Sequence, residues 1–206
     1  MKKVLLVLAG WVHPPYRGRV WLKETLGALG GFSFDEASSL PEAVTRGLSG
    51  YDALVLYYHY PKVALADAEL DAFGSFVRDG GGVLAVHSAT ASYKPTLGYF
   101  GILGGRFIGH GPVQPIDVRP ARVDDSIFAG IPSFTVHDEL YLHALEPDIE
   151  VHFEADHEGK AVPVVWTRNA GKGRICYLCP GHRAESIKNG SVQEILRRGM
   201  VWVSNL

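Results

Sequence analysis

Cysteine is almost missing from this chain: two in 206 residues, too few for a disulfide framework, which points to a reducing compartment and a cytoplasmic protein. No stretch approaches the roughly 20 consecutive apolar residues that a membrane-spanning helix needs, so no membrane partner is expected. No charge sign dominates either. Lys plus Arg is 20 and Asp plus Glu is 22, a net charge of −2. With no basic run, nothing supplies a general attraction for nucleic acid. Internal repeats, low-complexity tracts and inter-domain linkers are also lacking. Apolar residues make up 47%, enough to exclude disorder over most of the chain. The length suits a single domain over residues 1–206. What stands out instead is 24 glycines and 9 histidines: many tight turns, and a supply of metal ligands or acid–base groups.

The start, Met1-Lys2-Lys3 before Val4–Ala9, imitates a signal peptide. The apolar run is short, however, and no small-residue cleavage site follows, so it reads as a buried first strand. Over the first 90 residues, apolar runs alternate with amphipathic segments. Strands are expected at 3–9, 32–37, 53–58 and 83–86, and helices at 17–29, 41–48 and 65–79. Ser39 is the expected N-cap of the second helix, and Gly30-Gly31 and Gly80-Gly81-Gly82 are helix stops. This alternation predicts an α/β fold: a flavodoxin-like, doubly wound, mostly parallel sheet with helices on both faces. After residue 90 the rhythm changes. Gly- and Pro-rich stretches with a short helix give way to strands near 114–119, 139–145 and 150–154. A hairpin at 163–179 and a helix at 191–203 close the chain.

In an open parallel sheet, ligands bind outside the carboxyl ends of the strands. His13, His59, His87 and His182 each follow an expected strand end, from segments far apart in sequence. Histidines also sit in loops for no chemical reason, yet four such positions converge on one rim if the sheet forms. Gly82–Thr90 has the pattern of a nucleophile elbow, with a strand running into a sharp turn. Centred on His87, its flanks are the small Ala85 and Ala89; centred on Ser88, they are the β-branched Val86 and Thr90. His87 therefore takes the apex, which argues against a serine hydrolase. The triple glycine precedes its strand, so it is not a phosphate-binding loop, and no nucleotide cofactor is expected.

Within Phe134–His143, Asp138 and Glu139 are adjacent carboxylates; in a strand they point to opposite faces, so one of them serves any given site. Cys176 and Cys179 form a C-x-x-C inside an expected strand, which suits buried structural thiols and not redox chemistry. His152 and His157 read as surface residues, and His110 as a loop ligand or substrate contact.

The chain resembles the trehalose-utilization ThuA-like family of the class I glutamine amidotransferase-like superfold. The likeness spans nearly the whole chain and rests on four segments. They are the GGGVLAVHS elbow, Leu103–His110, the Phe134…Asp138-Glu139-Leu140-Tyr141 block, and the run from Pro163 through Gly173-Arg174 to Gly181-His182. Asp124-Asp125 departs from the His-Pro pair often found there. The resemblance implies an added β-region in the second half. It also implies an elbow that in true amidotransferases carries a cysteine. Here the apex is His87, the late histidine matches His182, and no glutamate stands two places after it, so covalent glutaminase chemistry is excluded.

What the resemblance implies for function is sugar catabolism, with a trehalose-related or keto-sugar substrate. His87, His182, Glu139 and Asp138 are the expected catalytic set. Trp11, Tyr58, His59, Ser88, Tyr93, Arg106 and Tyr141 are expected to contact the carbohydrate, with Tyr57 a further stacking candidate. A divalent metal such as zinc on His13, His87, His110 and His182 is favoured slightly over metal-free His–carboxylate chemistry. The other reading is a non-catalytic sugar-binding or regulatory protein on a degenerate amidotransferase scaffold. The apolar helix faces leave room for a homo-oligomer.

Overall fold

A computed structural model describes residues 1–10, 14–122 and 124–206. Strands β1 (Lys2–Leu8), β2 (Phe32–Ala37), β3 (Ala53–Tyr57) and β4 (Gly82–Val86) alternate with helices α1 (Tyr16–Gly27), α2 (Leu40–Arg46) and α3 (Asp67–Arg78). The apolar runs of β1, β3 and β4 become central strands because both faces are covered. Ser39 caps α2, its hydroxyl accepting from the Glu42 amide at 3.2 Å. Next come α4 (Leu97–Leu103), β5 (Gly105–His110), β6 (Gln114–Pro120), β7 (Phe134–Asp138), β8 (Tyr141–Leu145), β9 (Glu150–His157), β10 (Lys160–Ala170) and β11 (Gly173–Leu178). Helices α5 (Ala184–Lys188) and α6 (Gly190–Val203) end the chain.

One nine-stranded sheet runs β2-β1-β3-β4-β11-β10-β9-β6-β7. Its first five strands are parallel, in the flavodoxin-like order. Strands β10, β9, β6 and β7 continue the same sheet antiparallel. The added β-region is thus an extension of the main sheet, plus a separate antiparallel pair, β5-β8. Helices α1, α5 and α6 pack together, and α2, α3 and α4 form the other group. Among the described residues, no helix is long and apolar enough to cross a membrane.

Two local expectations need correction. The strand expected over 139–145 is β8, starting two residues later at Tyr141, and Phe134–Asp138 just before it forms β7 in the other sheet, where no strand was expected. His152 is not a surface residue. It is 2% exposed, between Asp125 (Nδ1 to Oδ2, 2.7 Å) and the Thr167 hydroxyl (2.7 Å from Nε2). Asp125 also accepts from the Ile127 and Phe128 amides, both at 2.8 Å, so the departure at Asp124-Asp125 places a buried hydrogen-bond acceptor for His152 there. Its sequence neighbours, charged and turn-like, concealed this burial.

Candidate functional site

Strand β4 delivers His87 to the carboxyl rim of the parallel sheet. His87 has φ 47°, the left-handed region, and opens a 3-10 turn over His87–Ala91. This backbone costs a non-glycine residue about 1–2 kcal/mol. It is accommodated because Ala85 and Ala89 are small and fully buried, as the elbow pattern requires. The His87 carbonyl accepts from the hydroxyls of Thr90 (3.1 Å) and Tyr177 (3.2 Å), which pin the turn from below.

The His87 ring is oriented by a second contact. Its Nδ1 lies 2.8 Å from the carbonyl oxygen of Cys179. A carbonyl only accepts, so Nδ1 carries the proton and Nε2 presents its lone pair in the neutral ring. Nε2 faces Glu139, 3.7 Å from Oε2. His182 Nδ1 lies 3.4 Å from that same oxygen, and His110 Nδ1 is 3.6 Å from Oε1. One carboxylate therefore gathers three imidazoles from the ends of β4 and β5 and the loop after β11. Burial pushes the Glu139 carboxyl above its ordinary range, while His182 and His110 pull against the shift.

Asp138 has a different task. It is fully buried and points away from the histidines, toward a run of backbone amides. Its oxygens accept from the N–H groups of Glu139 (2.7 Å), Gly181 (3.0 Å), His182 (3.1 Å) and Arg183 (3.4 Å). Asp138 thus fixes the loop that carries His182, and the Tyr57 hydroxyl donates to the Gly181 carbonyl in the same loop. Burial raises the Asp138 carboxyl, against the pull of these donors.

Cys179 ties the pieces together. Its carbonyl orients His87, and its sulfur lies 3.4 Å from the Tyr141 amide and 3.7 Å from the Glu139 carbonyl. Cys176 and Cys179 are both buried, with thiols pushed up to about 12 by burial, so neither is a nucleophile.

Gly181 lets this loop sit against the elbow. A Cβ there would lie 2.6 Å from His87 Cβ and 3.2 Å from Val86 Cγ1. Gly181→Ala should therefore cost about 1–3 kcal/mol, read by urea unfolding. An unchanged midpoint and slope would mean that the loop yields freely and does not brace His87.

The expected substrate contacts divide sharply. The Tyr141 ring, itself buried at 3% exposure, packs against His87 with centroids 4.0 Å apart, and Phe107 lies 4.4 Å from Tyr141. Phe107, half-buried beneath the Lys94 ammonium at 5.1 Å, extends this aromatic wall toward solvent. Tyr58, Tyr93 and Ser88 are instead enclosed, at no more than 1% exposure, as is Tyr57, and present no face to a ligand. Tyr58 and Tyr99 share a hydroxyl contact at 2.9 Å, and Tyr93 accepts from the Leu40 amide. His59 is half-buried just after β3. Arg106 is exposed on β5 opposite Ala144, at the end of the pair remote from His110. Trp11 and His13 lie outside the described residues. Sequence reasoning missed Thr90, Tyr177, Gly181 and the positioning role of Cys179. Only the small-residue pattern around the elbow hinted at Gly181. An open cleft of about 650 Å³ adjoins His182, lined by Tyr16, Arg17, Arg183 and Glu185 among others.

Solved structures share this architecture. A ThuA-like protein of Parabacteroides merdae aligns with 98% of this chain and 90% of its own, at TM-score 0.84 and 19% identity. A ThuA-like protein of Bacteroides uniformis aligns with 98% and 91%, at TM-score 0.81 and 21% identity. A β-galactosidase from Bacillus circulans sp. alkalophilus contains the fold within a longer chain: 98% of this chain matches 30% of that one, at TM-score 0.65 and 13% identity. These likenesses establish the fold. No functionally curated protein matches the sequence significantly. The family model described as trehalose utilisation matches residues 3–203, nearly the whole chain, and the protein belongs to this ThuA family.

Proposed function

We propose that the protein acts on an oxidised or keto-sugar related to trehalose, by proton transfer at the His87–Glu139–His182 centre. The observation that carries this reading is Glu139, a partly buried carboxylate facing three imidazole nitrogens at 3.4–3.7 Å. A carboxyl raised by burial is a better base near neutral pH, and a neighbouring imidazolium is a matched acid. Beside a ketone, the carboxylate would take the proton from the adjacent carbon, and an imidazolium would return a proton to the departing or neighbouring oxygen. That pairing fits β-elimination or isomerisation. The family's link to trehalose utilisation supports a sugar, and the half-buried Phe107, backed by the buried Tyr141 ring, supplies an apolar surface for one face of it. Tyr58, Tyr93 and Ser88 take no part in this reading.

The test is turnover of 3-keto-trehalose and 3-keto-glucosides by wild type, Glu139→Gln and His182→Ala. Wild-type turnover that falls at least 100-fold in both variants is the expected result. Sugar binding without turnover would overturn the enzyme reading in favour of a binding protein. The histidine at an elbow where amidotransferases place a cysteine, with both thiols buried, favours that second reading.

A further inference from the structure

We infer that His87 Nε2, His182 Nδ1 and a Glu139 carboxylate oxygen form the protein face of a divalent transition-metal site, with zinc the best-matched ion. The inference keeps the substrate of the proposed function and rests on it only there: with the ion bound, His87, Glu139 and His182 hold it in place of their proton-transfer roles, and the ion would polarise the sugar carbonyl.

Spacing is the first support. In a tetrahedral zinc site with bonds of about 2.1 Å, ligand atoms lie roughly 3.4 Å from one another. Here Glu139 Oε2 is 3.7 Å from His87 Nε2 and 3.4 Å from His182 Nδ1, and all three ligand atoms lie within 4.8 Å. Small adjustments would bring them onto one ion.

Tautomer chemistry is the second. Metal-ligating histidines characteristically donate their other ring N–H to a carbonyl or carboxylate. His87 does so toward the Cys179 carbonyl at 2.8 Å, which leaves Nε2 as the lone-pair nitrogen aimed at Glu139. The same argument reassigns His110. Its Nδ1 lies 2.7 Å from the Gly111 carbonyl, so this nitrogen carries a proton and cannot ligate. That same Nδ1 is the His110 atom 3.6 Å from Glu139 Oε1, the oxygen farther from the proposed ion, and its proton goes to Gly111. His110 Nδ1 is therefore not among the ligand atoms of the proposed site. His13, the other expected ligand, lies outside the described residues.

Rigidity and access are the third. Each ligand is held by buried structure: His87 by the pinned elbow, His182 by the amides on Asp138, and the Glu139 segment by contacts through the Cys179 sulfur. Exposure rises across the set, from 0% for the His87 side chain to 9% for Glu139 and 21% for His182. The open side lies at His182. Two imidazoles and a carboxylate with one open side are the donor set of a catalytic zinc site. The clustered atoms are two imidazole nitrogens and a carboxylate oxygen, so the site is a nitrogen–oxygen set, which also admits cobalt or manganese.

The test is titration of chelator-stripped full-length protein with zinc chloride alone, in competition with a chromophoric chelator. Cobalt(II) absorption gives an independent view of the ligands. One ion per chain is expected, with cobalt bands of a four- or five-coordinate nitrogen–oxygen site and no thiolate charge-transfer band. Glu139→Gln and His182→Ala should each weaken binding at least 100-fold with the far-ultraviolet circular dichroism unchanged. His110→Ala should weaken it less than 10-fold. Should His87→Ala fail to fold, the more exposed His182 still decides the matter. Affinity unchanged in His182→Ala and Glu139→Gln, or the absence of stoichiometric binding, would overturn the site. A loss with His110→Ala equal to that with His182→Ala would overturn the tautomer assignment. The readout is binding, so a protein that takes up zinc yet turns over no keto-sugar would sink the enzyme reading and leave the metal site standing.

Discussion

Replacing Asp138 with alanine is expected to destabilise the fold by about 3–5 kcal/mol and to release the loop that carries His182. The reason is a count of donors. Asp138 accepts from four backbone amides, those of residues 139, 181, 182 and 183, in a fully buried place. Each amide left without an acceptor costs about 1–3 kcal/mol, moderated where water reaches the loop. Asp138→Asn is the sharper variant. It keeps one acceptor oxygen and turns an NH₂ group against backbone donors, so it should cost about half as much. Urea unfolding measures the energies, and amide hydrogen exchange at Gly181 and His182 locates them. An asparagine variant as stable as wild type, with those amides still protected, would show that one oxygen suffices.

Asp138 also marks how far the sequence could be read. The parallel half of the sheet was legible because its strands are short apolar runs, and a strand buried on both faces admits little else. The elbow was legible because a left-handed apex needs small neighbours, and Ala85 and Ala89 flank only His87. The adjacent Asp138 and Glu139 were legible as a pair serving opposite directions, but not as to which did what. Their roles follow from the break between β7 and β8: Asp138 ends β7, and Glu139 lies in the link that precedes β8. Period-2 patterning could not show that break, because the polar run His137-Asp138-Glu139 followed by the apolar Leu140-Tyr141-Leu142 alternates on neither side of it. The tyrosines mislead for a related reason. Tyr58 and Tyr93 follow strand ends in sequence, but their rings turn inward, 5.6 Å apart, and join the core. Exposure of an aromatic side chain is a tertiary property. Local sequence fixes only where along the chain the ring is attached. The contacts through Cys179, Thr90 and Tyr177 were out of reach because they join positions up to 92 residues apart by backbone carbonyls, which carry no sequence signature.

His143 carries the other large effect, a loss of stability in mild acid. It sits behind the elbow on β8, with Nε2 3.0 Å from the Thr90 hydroxyl and its ring edge-on to Trp166 and Tyr177 at 4.9 and 5.1 Å. Burial pushes this imidazole down to about 3. In the unfolded chain it titrates near about 6.5. Between these values the unfolded state binds the proton and the folded state does not, so stability rises with pH across the window and is fully present above about 6.5. On acidification the loss from this group alone is about 2 kcal/mol by pH 5 and about 3 kcal/mol by pH 4. Against a typical domain stability of about 5–15 kcal/mol, that is a large share. His152, also lowered by burial, adds to the loss with the same sign. Asp138 and Glu139, raised by burial, act with the opposite sign in this window, so the effect of His143 is read from the difference between wild type and a variant. Asp125, held low by its hydrogen bonds despite burial, withdraws its contribution only below the ordinary carboxylate range. Urea unfolding of wild type and His143→Gln at pH 7, 6, 5 and 4 separates the two sets of groups. The variant is expected to be weaker at pH 7, through lost ring packing, and much flatter between pH 6.5 and 4.5. Parallel curves for the two proteins across that interval would show that burial does not depress the His143 imidazole in the folded state.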